Sequence, residues 1–178
     1  MKRILVTGAN GDIGEAIGRI LINEFPSYEI IGADCSGTLP GEFVFKKIIK
    51  SYHANHNNYT PMIKDWINHY DLIIPTNEPE ITKIRSIYKS DNNIPFLILP
   101  YFFISTFLNK YETFSFLKSR GFAVPETKLL SGMENYVNPI YLKPIFGAGG
   151  KGNRLLKNKY DFLSSKEILS QSDWVVQE

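Results

Sequence analysis

A lysine followed by a run of glycines is the strongest chemical signal in this sequence. Residues 141 to 152 read Tyr-Leu-Lys-Pro-Ile-Phe-Gly-Ala-Gly-Gly-Lys-Gly. A lysine at the end of an apolar strand has its charge fixed in place by the sheet, and Pro144 keeps that strand from simply continuing. Gly147, Gly149, Gly150 and Gly152 then form a pliable flap. Its backbone N–H groups can wrap a multiply charged anion while Lys143, and within the flap Lys151, neutralise it. Terminal phosphates suit that arrangement. A Walker A loop does not describe it, because G-x-x-x-x-G-K-[ST] is absent and the lysine precedes the glycines.

A second glycine motif opens the chain. Gly8, Gly11 and Gly14 stand between an apolar run and an amphipathic segment, where glycines permit a tight turn and a ligand's approach to a helix N-terminus. Asp34 ends the next apolar run, 20 residues after Gly14, the spacing at which dinucleotide folds place a ribose-binding acid. Taken alone, the pattern resembles an NAD(P)-dependent short-chain oxidoreductase. Those enzymes pair Tyr with Lys four positions later on a helix, and none of the 10 tyrosines here has that partner. The competing reading is that these glycines serve close strand-helix packing.

The remaining reactive side chains have ordinary explanations. Glu78 and Glu80 flank Pro79 at a predicted helix start, where acids complement the helix dipole, and Asn77 is placed to cap that helix. His53 and His56 lie in a polar stretch without a convincing carboxylate partner, so no metal site is assigned to them. Cys35 is the only cysteine and reads as a packing residue, with no internal disulfide.

These residues need a scaffold that alternates strand and helix. Arg3 to Thr7, Tyr28 to Asp34, Asp71 to Thr76 and Pro95 to Leu99 read as buried strands, with Glu42 to Ile49 as a further one. Ile13, Ala16, Ile17, Ile20 and Leu21 fall at helical spacing, as do Met62, Ile63, Trp66, Ile67 and Tyr70, and then Ile81, Ile84 and Tyr88. Such alternation predicts a Rossmann-like doubly wound parallel sheet over residues 1–105. Residues 106–178 change character. One helix carrying Phe107, Tyr111, Phe114 and Leu117 ends at Gly121. Short strands follow at Thr127 to Leu130, Pro139 to Lys143, Arg154 to Lys157 and Trp174 to Gln177, with a helix over Tyr160 to Leu169. The fold class expected is α/β, a parallel-sheet domain followed by a small α+β subdomain.

The chain has 178 residues, 43% hydrophobic and 21% charged, with a net charge of +2. Those values suit a globular protein and give no sign of a nucleic-acid partner. The N-terminal apolar run is too short for a signal peptide, and no run of about 20 apolar residues suggests a membrane span. A cytoplasmic location is expected.

The region around Lys143 resembles the ATP-grasp superfamily, and the match extends over the whole chain. That family has a first lysine in a D-K-x-x-T/x-x-x-L-x-x-x-G-x-x-x-P-x-T pattern. This chain has Asn109-Lys110-Tyr111-Glu112-Thr113, then Leu117, Gly121, Pro125 and Thr127. The second family lysine and its glycine flap match Lys143 and Gly147 to Gly152, and Val175-Val176-Gln177-Glu178 match the next strand. Asp71 to Ile81 (DLIIPTNEPEI) is similar to the pre-ATP-grasp domain of the carbamoyl-phosphate synthase large-subunit group.

The resemblance implies that Lys110 and Lys143 contact ATP phosphates and that the backbone around Gln177 and Glu178 meets the adenine edge. It places Gly11, Asn77 and Glu78 on the substrate side. It implies a ligase that uses ATP and magnesium to activate a small carboxylate, with the magnesium ligands in a second ATP-grasp subdomain supplied in cis or in trans. The present chain is then an incomplete ATP-grasp fold, inactive by itself. The alternatives are a partner-binding half of a split ligase and the oxidoreductase above.

Overall fold

The structure, a computed structural model, describes residues 1–37, 40–89, 94–136, 139–147, 150–169 and 173–178. The chain divides into two compact units, Met1–Tyr101 and Phe102–Glu178.

The first unit is a parallel sheet. Its strands are β1 (Arg3–Thr7), β2 (Glu29–Asp34), β3 (Ile48–Lys50) and β4 (Leu72–Ile74), in the order β3-β2-β1-β4. Helices α1 (Asp12–Glu24), α2 (Tyr59–Trp66) and α3 (Glu78–Ile87) connect or follow them. The two-residue period of the strands sorts their apolar side chains into two cores. Leu5, Ile31 and Ile73 pack with Tyr59, Ile63 and Ile84 from α2 and α3. Ile4, Val6, Ile30 and Ile74 pack with Phe45 and with Ile17 and Leu21 of α1. The alternating pattern predicted this doubly wound layout.

The details differ in instructive places. The expected strand over Glu42 to Ile49 is a 3-10 turn at Gly41–Phe43, with only Ile48–Lys50 extended. Phe45, between them, turns inward instead of pairing. Pro95 to Leu99 contributes a single parallel bridge, Ile73 to Phe96. Helix α1 presents the predicted face only in part, through Ile17 and Leu21. Ile13 and Ile20 are exposed, while Gly14 and Gly18 are buried. A Cβ on Gly14 would collide with the Gly8 backbone, and one on Gly18 with the Phe45 ring. The helix therefore meets the sheet along its glycines, which carry no hydrophobic signal for a periodicity count to detect.

The second unit is an antiparallel sheet. Its strands are β5 (Thr127–Leu129), β6 (Ile140–Pro144), β7 (Arg154–Leu156) and β8 (Trp174–Gln177), in the order β5-β8-β6-β7. The predicted small α+β subdomain is thus present. Leu130, Ile140, Leu142, Leu156 and Val176 form its core with Phe162 of α6 (Lys159–Ile168). The single helix expected through Phe107 and Leu117 is two, α4 (Tyr101–Leu108) and α5 (Lys110–Ser119). Asn109 makes the break. Its side chain accepts the Glu112 N–H, capping α5 as its residue type foretold. Gly121 ends that helical stretch with φ of 82°, the left-handed conformation that glycine adopts without strain.

The packing role of Gly14 is directly testable. Gly14→Ala is expected to lower the unfolding free energy by about 1–3 kcal/mol, since backbone must shift to admit the methyl. Gly11→Ala, whose Cβ meets only the Gly8 carbonyl at 3.4 Å, should cost less, about 1 kcal/mol at most, the scale of a poorer N-cap residue. Urea denaturation of both variants checks this, and equal losses would contradict it.

Candidate functional site

In the second unit, β8 lies between β5 and β6, so three strands place their side chains in one row. Thr127, Gln177 and Tyr141 are register partners across the sheet, and Leu155 continues the row on β7. Lys143 lies two residues beyond Tyr141 on the same face of β6, directly opposite Val175. It therefore reaches Gln177 diagonally, as long side chains do across antiparallel pairs. Its Nζ donates to Gln177 Oε1 at 2.5 Å and lies 5.8 Å from the Tyr141 ring centroid. Tyr141, Lys143, Asn153, Arg154 and Leu155 line an open cleft of about 440 Å³.

The glycine flap leaves the end of β6 through backbone conformations that require its composition. Gly147, Gly150 and Gly152 have φ of 125°, 71° and 83°. A Cβ on Gly152 would also press on the Pro144 ring at 2.9 Å. Gly149 lies outside the described residues. Lys151 is exposed on the flap.

Lys110 opens α5 and is tied to the same segment. Its backbone N–H donates to Ile145 O at 3.0 Å and its Nζ to Gly147 O at 2.8 Å. The structure thus brings Lys110 to the base of the flap, and Lys143 to Gln177. Gln177 is 3% exposed, with its Nε2 donating to Thr127 Oγ1 at 2.9 Å. Glu178 is exposed, and its N–H reaches Glu126 O. Tyr141 and Arg154 escaped the sequence reading. Alternation along β6 from Lys143 could have found Tyr141, whereas the place of Arg154 depends on the β6–β7 register.

In the first unit, Gly11 caps α1 with its backbone alone, and its N–H donates to Gly8 O. Gly11, Asn77, Thr76 and Asp34 border an open cleft of ≈ 490 Å³. Glu78 is exposed at the start of α3. Asn77 is largely committed within the fold. It accepts the Glu80 N–H, as a helix cap should, and donates to Glu80 Oε2.

Glu80 is more than a helix-dipole acid. It is 5% exposed, and its carboxylate also accepts from Thr7 Oγ1 at 2.6 Å and Tyr59 OH at 3.2 Å. Burial pushes its pKa up, against the downward pull of the hydrogen bonds from Thr7, Asn77 and Tyr59. Burial likewise raises the Tyr59 phenol, and the Glu80 charge adds to that.

Asp34, the acid that dinucleotide spacing would give to a ribose, is turned into its own loop. Its carboxylate accepts from Asn10 N, Ser36 N and Ser36 Oγ. Burial raises its pKa, but hydrogen bonds from Ser36, Asn10 and Cys35 outweigh that and lower it. Cys35 Sγ lies 3.5 Å from His53 Nδ1, and His56 accepts the Asn58 N–H while stacking on Tyr52. No described helix is long and apolar enough to cross a membrane.

Residues 107–178 match the family model of an ATP-grasp domain. No curated protein matches the sequence. Among solved structures, the chain is similar to the N5-carboxyaminoimidazole ribonucleotide synthetase of Thermotoga maritima, with TM-score 0.72 and 20% identity, covering 100% of this chain and 46% of that one. The N5-carboxyaminoimidazole synthetase of Staphylococcus aureus complexed with ADP gives TM-score 0.72 and 19% identity, covering 99% and 47%. The L-amino acid ligase of Bacillus licheniformis gives 0.68 and 13%, covering 99% and 44%. The chain therefore spans less than half the length of these structures.

Glu80 predicts a pH dependence. With its folded-state pKa raised, the fold binds the Glu80 proton more tightly than the unfolded chain does. That contribution is fully present below the ordinary carboxylate range and is lost as pH rises through the raised value. Stability relative to Glu80→Gln should therefore fall with rising pH across this window. Urea denaturation of both proteins at stepped pH measures the difference, and a difference that grows with pH would refute the assignment.

Proposed function

We propose, from the match of residues 107–178 to the ATP-grasp domain model, that this chain forms the nucleotide-phosphate wall of an ATP-dependent ligase acting on a small carboxylate. One observation carries the reading: Lys143 and Lys110 are both seated around the flap that begins at Gly147, one on the strand before it and one bonded to its first carbonyl. Lys143, Lys110 and the N–H groups of the flap bind and orient the phosphates, and Lys151 adds charge from the flap itself. The backbone at Gln177 and Glu178 meets the adenine edge. Gly11, Asn77 and Glu78 stand on the substrate side, Asn77 through its backbone.

In this reading a carboxylate oxygen attacks the γ-phosphorus of ATP and ADP leaves. The acyl phosphate so formed is then open to attack by ammonia or an amine. The similarity of Asp71 to Ile81 to the carbamoyl-phosphate synthase group supports ammonia or an amine as the nucleophile. Among the described residues, no group of His, Cys, Asp or Glu is arranged to hold a metal ion. On the family resemblance, magnesium ligation is assigned to the rest of the ATP-grasp domain.

A second reading, a non-catalytic half of a split ligase, finds support in the helices. α5 buries none of its residues, and Phe102, Phe103 and Phe107 of α4 are exposed, Phe102 by 56%. Apolar surface of that kind marks contact with further polypeptide, here the remaining ATP-grasp part in cis or in trans. The oxidoreductase reading loses its ribose acid, because the Asp34 carboxylate is held by Asn10 and Ser36.

The test titrates Mg-ATP and NADH separately into the protein with the rest of the ATP-grasp domain present in cis or in trans. Lys143→Ala is expected to weaken ATP binding by about tenfold or more, the loss of a charge-assisted phosphate contact. Tight NADH binding without an ATP signal, indifferent to Lys143→Ala, would overturn the proposal.

A further inference from the structure

Lys143 does not meet its cleft as a loose surface lysine. A directed chain of hydrogen bonds runs to it from the backbone before β5. Pro125 O can only accept, and Thr127 Oγ1 lies 3.0 Å from it, so the hydroxyl hydrogen is spent there. The Thr127 oxygen is then left to accept, and Gln177 Nε2 lies 2.9 Å away. That fixes which way round the Gln177 amide stands. Its Oε1 must face Lys143, whose ammonium can only donate, at 2.5 Å. A flipped amide would set NH2 against NH3+ and oxygen against an oxygen whose hydrogen is already committed. At 3% exposure Gln177 has little water to relieve either clash.

The neutrality of this partner matters as much as its orientation. Among the described residues, no carboxylate pairs with Lys143, which contacts the Gln177 oxygen and the Tyr141 ring. An amide oxygen orients an ammonium without cancelling its charge. A glutamate in the same place would make an ion pair and remove one unit of positive charge from the cleft.

We propose that Gln177 is a positioning residue for Lys143. Locked by Thr127 and Pro125, it holds the ammonium at the sheet surface with its whole charge available to a polyphosphate. This rests on the phosphate reading above for its purpose, though the geometry of the lock is independent of it.

The test uses the full chain, whose 20.3 kDa suits solution NMR. The 15N-ammonium signal of Lys143, assigned by its disappearance in Lys143→Arg, should be visible through slowed exchange. It should persist in Thr127→Ser, which keeps the hydroxyl, and vanish in Thr127→Val and in Gln177→Met. An unchanged signal in Thr127→Val and Gln177→Met overturns the proposal. If Gln177→Met fails to fold, the Thr127 pair decides it. Inorganic tripolyphosphate, titrated calorimetrically with the rest of the ATP-grasp domain present in cis or in trans, tests the purpose. Gln177→Glu is expected to weaken its binding about tenfold, the scale of one charge-assisted contact, while undiminished binding overturns the charge argument. If tripolyphosphate fails to bind even the wild-type protein while the ammonium signals behave as expected, the phosphate reading falls and the lock stands.

Discussion

Strand β8 is bonded on both sides, to β5 and to β6, and the cleft around Lys143 depends on that central position. Only because β8 separates the two strands can the Gln177 side chain touch Thr127 on one neighbour and Lys143 on the other. Edge strands could not supply partners on both flanks. The pairing also gives the sheet two unlike faces. Leu142 and Val176 turn into the core against Phe162, while Tyr141, Lys143 and Gln177 share the opposite face. One backbone pattern thus seals the hydrophobic core and aligns the polar row.

The first unit depends on a comparable economy of space. Gly14 and Gly18 bring α1 close to the strands, and Gly8, with φ of 63°, turns the chain from β1 into that helix. The same turn leaves Thr7 bonded to Glu80 across the sheet. A carboxylate at such depth is tolerable only because Thr7, Asn77 and Tyr59 all donate to it. Glu80 therefore links β1, α2 and α3 through a polar knot inside an apolar core. The loop that looked most like a cofactor fingerprint is occupied, to a large extent, with holding the unit together.

Local pattern carried the sequence reading a long way, for reasons that are themselves local. Alternation of strands with helical faces identified the parallel unit. Asn77 and Asn109 were legible as caps, because capping is decided within four residues of chain. The flap was legible because glycine composition directly licenses its positive φ angles. The reading erred where a neighbour distant in sequence intervened. α1 turns its glycines inward, because what matters is the room left by Gly8 and Phe45. Phe45 interrupts an apparent strand because the other core claims its ring.

The sequence by itself determined the kinds of elements, the lysine-glycine motif and the match of residues 107–178 to the ATP-grasp domain model. Each is written in residue types at short, fixed spacing. Tertiary structure alone decided that Glu80 is buried, that Asp34 serves its own loop, and that Gln177 orients Lys143. These are matters of register and burial between segments far apart in the chain. Gln177 lies 50 residues from Thr127 and 34 from Lys143, and no local spacing encodes which way a buried amide must face.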